Sequence, residues 1–381
     1  VADPKHLVLL GGGHAHVAVL RALWNQPWPS GRVTLVSRLP HTPYSGMIPG
    51  LLAGHYHFDE THLDLTRLCQ RAKVDFVHAT VERLDLVDKE LLCTNGERIR
   101  FDGLSINTGS TPSIAQVPGA ENHAIPVKPI DRFLDRWQDI LARAATPQCA
   151  QLRVVVVGGG AAGVELALST QYRLQRVFEA HGKPASAVEF TLVSAGLTLL
   201  TSHNLQVQHR VQRLLRDRRI RVECGRKVVS VGADSLQPEG CQPIGFDVAL
   251  WATHASAPAW IQRSGLRTDA DGFVAVNECL QSLSHSFVFA AGDVASMVFN
   301  PRPKSGVFAV RQGGPLTRNL FGTMAGTRLI AYHPQEQFLC LISTGDRRAI
   351  ASKGSWSLEG RVLWWLKNWI DRRWMNQYRC P

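Results

Sequence analysis

Paired cysteines are missing from this sequence. Its eight cysteines stand at positions 69, 93, 149, 224, 241, 279, 340 and 380, none at C-x-x-C or C-x-x-x-x-C spacing. That argues against a zinc ribbon and against a local redox disulfide. Scattered single cysteines fit a reducing cytoplasm, where most act as small buried hydrophobes. No apolar run is long enough to cross a bilayer. No secretory signal is expected ahead of the first strand, which starts at His6; with Val1 in first place, the chain is expected to be trimmed or cut from a longer polypeptide. Acidic residues are scarce, 31 against 42 basic ones, for a net charge of +11. Such an excess attracts polyanions, whether nucleic acid, anionic lipid or phosphorylated cofactors, without choosing among them. Helix-turn-helix, zinc and RNA-binding signatures are absent, so no nucleic-acid partner is expected.

The chain's 381 residues suffice for two domains with a large core, and 45% hydrophobic with 19% charged residues is ordinary for a globular protein. One local pattern occurs twice. HLVLLGGGHAHVAVL reads as a buried strand, a glycine turn and a helix, followed by the β-branched strand RVTLV ending at Ser37. RVVVVGGGAAGVELAL repeats the pattern, with VEFTLV ending at Ser194 as its next strand. This is a repeat at domain scale, and each copy has the span of one βαβ unit. In G-x-G-x-x-G the first glycine permits the tight turn, the second lets a pyrophosphate approach the helix amino end, and the third lets helix and strand pack closely. Gly158, Gly160 and Gly163 complete the second copy, whereas in the first copy Gly11 and Gly13 are followed by His16. The first turn is therefore open to three readings: a nucleotide loop, a His-x-His metal pair, or a plain turn. No nearby acid or cysteine completes a ligand set, which favours the nucleotide loop and assigns no metal site. Neither second strand ends in the acid that binds a ribose diol; Ser37-Arg38 and Ser194-Ala195 stand there instead.

Between and after these units lie short β-rich pieces. VDFVHATVERLD and ELLCTNGERIRFDGLSINTG read as a meander with turns at Asn95-Gly96 and Asp102-Gly103. IRVECGRKVVSVGADSLQ, then DVALWAT, read as a second one. SFVFAAGDVA is a strand stopped at Gly292-Asp293, a helix is predicted from Gly306 to Ala325, and the tail reads as a hairpin (QFLCLIS, RRAIASK) and a last helix from near Glu359.

With two glycine turns in place, the order of further segments resembles the pyridine nucleotide-disulfide oxidoreductase superfamily over nearly the full length. LSINTGSTP (104–112) is similar to its first crossover, LWATHASAP (250–258) to the second, and FVFAAGDVA (287–295) to its flavin-binding segment. The superfamily's catalytic disulfide is lacking: PYSGMIPGLLAGHY stands in its place. In this, and in PKSGVFAVRQGG (303–314), the chain is similar to type II NADH dehydrogenases and sulfide:quinone oxidoreductases. Sulfide oxidation requires cysteines on both flavin faces, and Cys340 lacks an evident partner, so that reading ranks lower. GGGHAHVAVLRAL, TPYSGMIPGLLAGHY, PKSGVFAVRQGGPL, ISTGDRRAIASKGSWSLEGR and the NWIDRRW tail resemble flavoproteins often fused to selenide, water dikinase, whose partner would begin where this chain stops. In that group His16 reads as a variant third position of an FAD loop.

The resemblance implies an α/β fold with two Rossmann-like domains, each a parallel sheet with a β-meander, and a C-terminal α+β cap. The FAD domain takes 1–112 and 281–328, the inserted NAD(P) domain 113–280, and the cap 329–381. It implies FAD on Gly11, Gly13, His14, Ala15, Ser37, Arg38, Ser45, Gly46, Met47, Val81, Thr108, Gly109, Gly292, Asp293, Lys304 and Gly306, with Tyr44 nearby. It implies NAD(P)H on Gly158, Gly160, Ala161, Gly163, Glu165, Ser194 and Thr253. Hydride passes from NAD(P)H to flavin, and two electrons then pass to a quinone-like acceptor. Lys304, or the helix start at Gly306, would stabilise charge on the reduced flavin; Glu165 would orient the nicotinamide or relay protons; Gln312 would line the acceptor pocket. His254 stands where such proteins favour glycine. Together with the missing ribose acids it favours the alternative, a flavin-bearing partner or regulatory module of selenium metabolism with a weak nicotinamide site. In the tail, Val362, Trp365, Leu366, Trp369 and Ile370 recur at helical spacing, among cations Lys367, Arg372, Arg373 and Arg379. Such a stripe is more often core, dimer interface or fused-domain contact than a membrane anchor, yet tryptophan beside arginine also fits peripheral contact with a membrane. The expected location is the cytoplasm, with the inner face of the membrane as its membrane-bound form.

Overall fold

The computed structural model describes residues 5–28, 31–253 and 255–379. Its main strands are, in order, β1 (His6–Leu10), β2 (Arg32–Ser37), β3 (Asp75–His78), β4 (Gly103–Ile106), β5 (Ile125–Pro126), β6 (Leu152–Val157), β7 (Val188–Val193), β8 (Ile220–Glu223), β9 (Val248–Trp251) and β10 (Val288–Ala290). The helices that place the site are α1 (His14–Asn25), α2 (Ala161–Ala180), α3 (Gly306–Ala325) and α4 (Arg361–Asn376).

Two five-stranded parallel sheets form, ordered β10-β4-β1-β2-β3 and β5-β9-β6-β7-β8. Their central strands are buried on both faces, which is why HLVLL and LRVVVV read as near-continuous apolar runs. Each βαβ unit brings its glycine turn to the carboxyl end of its sheet, where a parallel α/β sheet binds ligands. The two crossovers meet: Thr111–Pro112 pairs antiparallel with Ala255–Ser256.

The meanders are shorter than the sequence predicts. Val81–Asp85, Glu90–Cys93 and Arg98–Arg100 form one, and Val228–Val231, Ser235–Pro238 and Ile244–Gly245 the other. DFVH, GLSI, IRVE and VALW, expected within them, are instead strands β3, β4, β8 and β9 of the parallel sheets, β3 and β8 at an edge. An edge strand is covered on fewer sides, so its hydrophobicity is partial and imitates a meander strand.

The cap joins both units. Its sheet is Cys340–Ser343, Ala349–Lys353 and Trp356–Gly360, one strand more than the expected hairpin. Ile342 and Ile350 enter the core around the second sheet, with Ile48 and Leu52 from the segment that stands where a disulfide helix would be. Trp364, Met375 and Tyr378 enter the core around the first. The apolar stripe on α4, for which core packing was the commoner expectation, faces outward: Val362 is 78% exposed, Trp365 64% and Trp369 56%. The opposite face, carrying Trp364, Asp371 and Met375, is the buried one.

Candidate functional site

The first glycine turn is braced by side chains. Gly11 has φ +93°, and a Cβ there would lie 2.6 Å from the Asn107 carbonyl oxygen. Asn107, at the end of β4, accepts hydrogen bonds at Oδ1 from the Ala15 and His16 amides and donates from Nδ2 to the Ala291 carbonyl. One buried amide thus ties the turn, the crossover and the Gly292 segment together, and sequence reasoning missed it. His16 is fully buried, with Nδ1 2.6 Å from the Gly11 carbonyl and Nε2 2.8 Å from Ser105 Oγ. A carbonyl only accepts, so Nδ1 carries the proton and Nε2 accepts from Ser105. Burial depresses the imidazole to about 4, so it is neutral. With both nitrogens engaged, His16 is a structural replacement for the third glycine, and the metal reading lapses.

Around this turn gather Tyr44, Ser45, Gly46, Met47, Gly292, Asp293 and the start of α3. The Ser45 amide donates to His14 Nε2, and a Cβ on Gly306 would meet Ser45 Oγ at 2.5 Å. Burial holds His14 down at about 4. Its ring touches Tyr44 and Trp374, which stack on each other with centroids 4.2 Å apart. Met47 is buried. Burial alone would push Asp293 up, but the Lys128 ammonium at 2.7 Å outweighs it and holds the carboxyl below its ordinary value. Lys128 also donates to Ser110 Oγ; it is a second group missed in the sequence, because its partner lies far along the chain. Gln312 accepts from the Gly292 amide and lies near Met297 Sδ, bracing the Gly292 turn. Lys304 donates to the Ala295 carbonyl and lies over the Phe273 ring, and burial lowers its pKa. Gly109 has a positive φ beside exposed Thr108, and Val81 opens a meander strand and packs into the core. Ser37 Oγ donates to the Leu39 carbonyl, and Arg38 pairs with Asp131 across the domain boundary.

Among the described residues the second turn receives no side-chain hydrogen bond; backbone closes Gly158 and Gly163, and the Ser194 and Leu199 side chains pack against Gly159. A Cβ on Gly163 would lie 1.9 Å from the Gly158 carbonyl oxygen, and one on Gly158 2.3 Å from that of Ala252. Gly160 faces open space, and no side chain of that residue caps α2, which begins at Ala161. The Thr253 hydroxyl is shielded and has no partner among the described residues. His254 lies outside them. Ser194 Oγ would be 2.2 Å from a Gly159 Cβ, so it packs against the turn, and it accepts the Gly196 amide.

Glu165 links the turn to the cap. It accepts the Ser343 amide at 2.7 Å. Burial raises its carboxyl to about 7, against the opposing pull of Lys367 and Ser343. Lys367 donates to the Gly46 carbonyl and to Asp371, so α4 holds the loop expected to face the flavin. Cys340 is a half-buried thiol pushed up to about 12 by burial and by Glu165.

A crossover-linked pair of parallel sheets, each with a glycine turn, is the frame of flavin enzymes that use nicotinamides. Residues 5–313 match the family described as Pyridine nucleotide-disulphide oxidoreductase. The chain belongs to this family. Pyridine nucleotide-disulphide oxidoreductases use FAD and NAD(P)H. Both fit here: the first turn, Asp293 and the α3 start enclose one place, and open Gly160 with the unpartnered Thr253 hydroxyl mark the other. The chain is 23% identical over 380 residues to the NADH dehydrogenase-like protein YutJ of Bacillus subtilis, covering 98% of this chain and 99% of that one. It is 21% identical to the type II NADH:quinone oxidoreductase of Staphylococcus aureus, covering 95% and 90%. Its fold is similar to that of Plasmodium falciparum NDH2 in complex with NADH, with TM-score 0.83 and 15% identity, covering 99% and 98%. Among the described residues no helix is long and apolar enough to cross a membrane.

Proposed function

We propose that this protein oxidises NAD(P)H through FAD and passes the electrons to a quinone-like acceptor without a redox disulfide. The observation that carries the reading is the second turn: Gly160 is open, and the Thr253 hydroxyl beside Gly158 awaits a partner. Bound FAD supplies the hydride-accepting and two-electron-donating chemistry. Gly158, Gly160, Ala161 and Gly163 hold the donor pyrophosphate at the α2 amino end, with Ser194 on the ribose and Thr253 beside it. Gly11, Gly13 and His14 would line the FAD pyrophosphate, while the Ala15 amide, expected there too, is taken by Asn107 Oδ1; Asp293, anchored by Lys128, would hold the ribityl chain. Glu165, with its carboxyl near 7, takes or gives a proton where the two units meet the cap. Ser45, Gly46 and Met47 line the flavin, and Gln312 acts by fixing Gly292.

The outward stripe of α4, with Trp356 and Leu358 beside it and Arg372 and Arg373 on the helix, supports peripheral contact with a membrane, where a lipid quinone resides. The motifs shared with flavoproteins fused to selenide, water dikinase support a partner of that kind.

Anaerobic stopped-flow mixing with NADH and with NADPH tests the central reading. Fast bleaching of the bound flavin by either donor, then reoxidation by a soluble quinone, is expected. Reduction by dithionite but by neither donor would overturn it in favour of the regulatory module.

A further inference from the structure

The fold supplies a cation at the corner where the donor's ribose is expected. In sequence, β7 ends in Ser194-Ala195, with neither the acid that binds a ribose diol nor an adjacent arginine for a 2′-phosphate. In space, the loop after β8 runs beside this strand end. The Ser194 amide donates to the Glu223 carbonyl, the Gly225 amide to the Gly196 carbonyl, and the Arg226 amide to the Ser194 carbonyl at 2.8 Å. Arg226 is exposed, and exposed Lys227 follows it. The nearest carboxylate, Glu223, is not free to receive a diol: Arg221 Nε lies 2.7 Å from one oxygen and Arg226 Nε 3.9 Å from the other. The corner therefore carries more positive than negative charge, Arg221, Arg226 and Lys227 against Glu223, beside a Ser194 whose buried hydroxyl accepts the Gly196 amide.

We propose that the donor is NADPH and that Arg226 is the specificity-determining residue, binding the adenosine 2′-phosphate beside Ser194. This rests on the second glycine turn being the donor site. A doubly charged phosphate gains a charge-assisted hydrogen bond there, and NADH, which lacks the group, leaves the guanidinium in water. Lys227 adds attraction but, one residue further on, is not the direct partner.

The test pairs kinetics with a fragment. Flavin reduction by NADPH and NADH is compared in the wild type, R226A and R226E, with R216E as a control for charge elsewhere on the same unit. Binding of 2′,5′-ADP and 5′-AMP is measured on the same holoenzymes at fixed ionic strength. NADPH should exceed NADH in kcat/KM, and R226A should lower the NADPH value about 10- to 100-fold, the worth of one charge-assisted hydrogen bond, with NADH nearly unchanged. R216E should shift both donors alike and slightly. A wild-type preference for NADH, or an R226A loss shared by both donors, would overturn the assignment. If neither donor bleaches the flavin, the donor reading falls and the fragment decides: tighter 2′,5′-ADP binding lost in R226A upholds the phosphate site, and equal binding of the two fragments ends it.

Discussion

At the first glycine turn His16 and Asn107 reach in with hydrogen-bonding side chains; at the corresponding places of the second, Gly163 and Ala252 have no polar group beyond the backbone. Both turns solve the same geometric problem, a strand that must reverse into a helix beneath a phosphate. The first is locked by buried hydrogen bonds from residues about 90 positions away, and even its helix amides are engaged. The second is closed by backbone contact at Gly158 and Gly163 and by packing of Ser194 and Leu199 on Gly159, and Gly160 faces open space. A locked turn fits a cofactor that stays, because its order is imposed before binding. An open turn fits a substrate that arrives and leaves each cycle, because little has to be displaced. Glycine count alone does not show this difference; it depends on what stands opposite each glycine.

The sharpest way to break the comparison is G163A. Its Cβ would occupy the space of the Gly158 carbonyl, so α2 must shift from β6. We expect a loss of about 3 kcal/mol of stability by thermal or denaturant unfolding, the upper range for overpacking. The same shift should slow flavin reduction by NAD(P)H about 100-fold, as misplacement by an ångström does. Dithionite reduction should be unaffected. H16A is the converse, removing side-chain bracing where the other turn has none. Leaving Gly11 and Ser105 without their partner should cost about 2 kcal/mol and lower FAD retention, read as flavin-to-protein ratio after gel filtration. If H16A matched the wild type in both, the first turn would be as backbone-closed as the second.

The smallest effect sharpens the comparison at Glu165, the acid just past the open turn. Its folded pKa, about 7, is raised from an ordinary 4.5. The folded state therefore holds the proton more tightly than the unfolded one, and stability falls as pH rises from about 4.5 to about 7. E165Q removes that penalty. Its Tm should equal the wild type's near pH 4 and exceed it by a few degrees above pH 7, and the wild-type inflection in flavin turnover near pH 7 should vanish. A Tm difference independent of pH would assign Glu165 a packing role only.

Much of the frame was legible because its signals are local. An apolar run, a glycine turn and a helical period lie within fifteen residues of each other, and the order of segments placed the crossovers, which do pair. The Gly306–Ala325 helix has the bounds expected. Strands β3 and β8 were misread because a half-covered edge strand alternates like a meander strand. Asn107 and Lys128 were missed for one shared reason: each bonds a partner that lies more than 90 positions away in the chain, and no spacing in the sequence records that. The outward face of α4 removes only the packing of its stripe on this chain's own core, because an apolar stripe shows a preference for leaving water without saying what covers it.

The last helix has the geometry of a cam. Its outer side carries tryptophans, and its inner side carries Lys367, whose ammonium grips the Gly46 carbonyl. Successive residues on a helix are about 100° apart, so a roll of one residue would take the lysine off that carbonyl and bring Leu366 or Asn368 to its place. The outer surface and the loop expected beneath the flavin therefore lie on opposite sides of one helix, about 10 Å across.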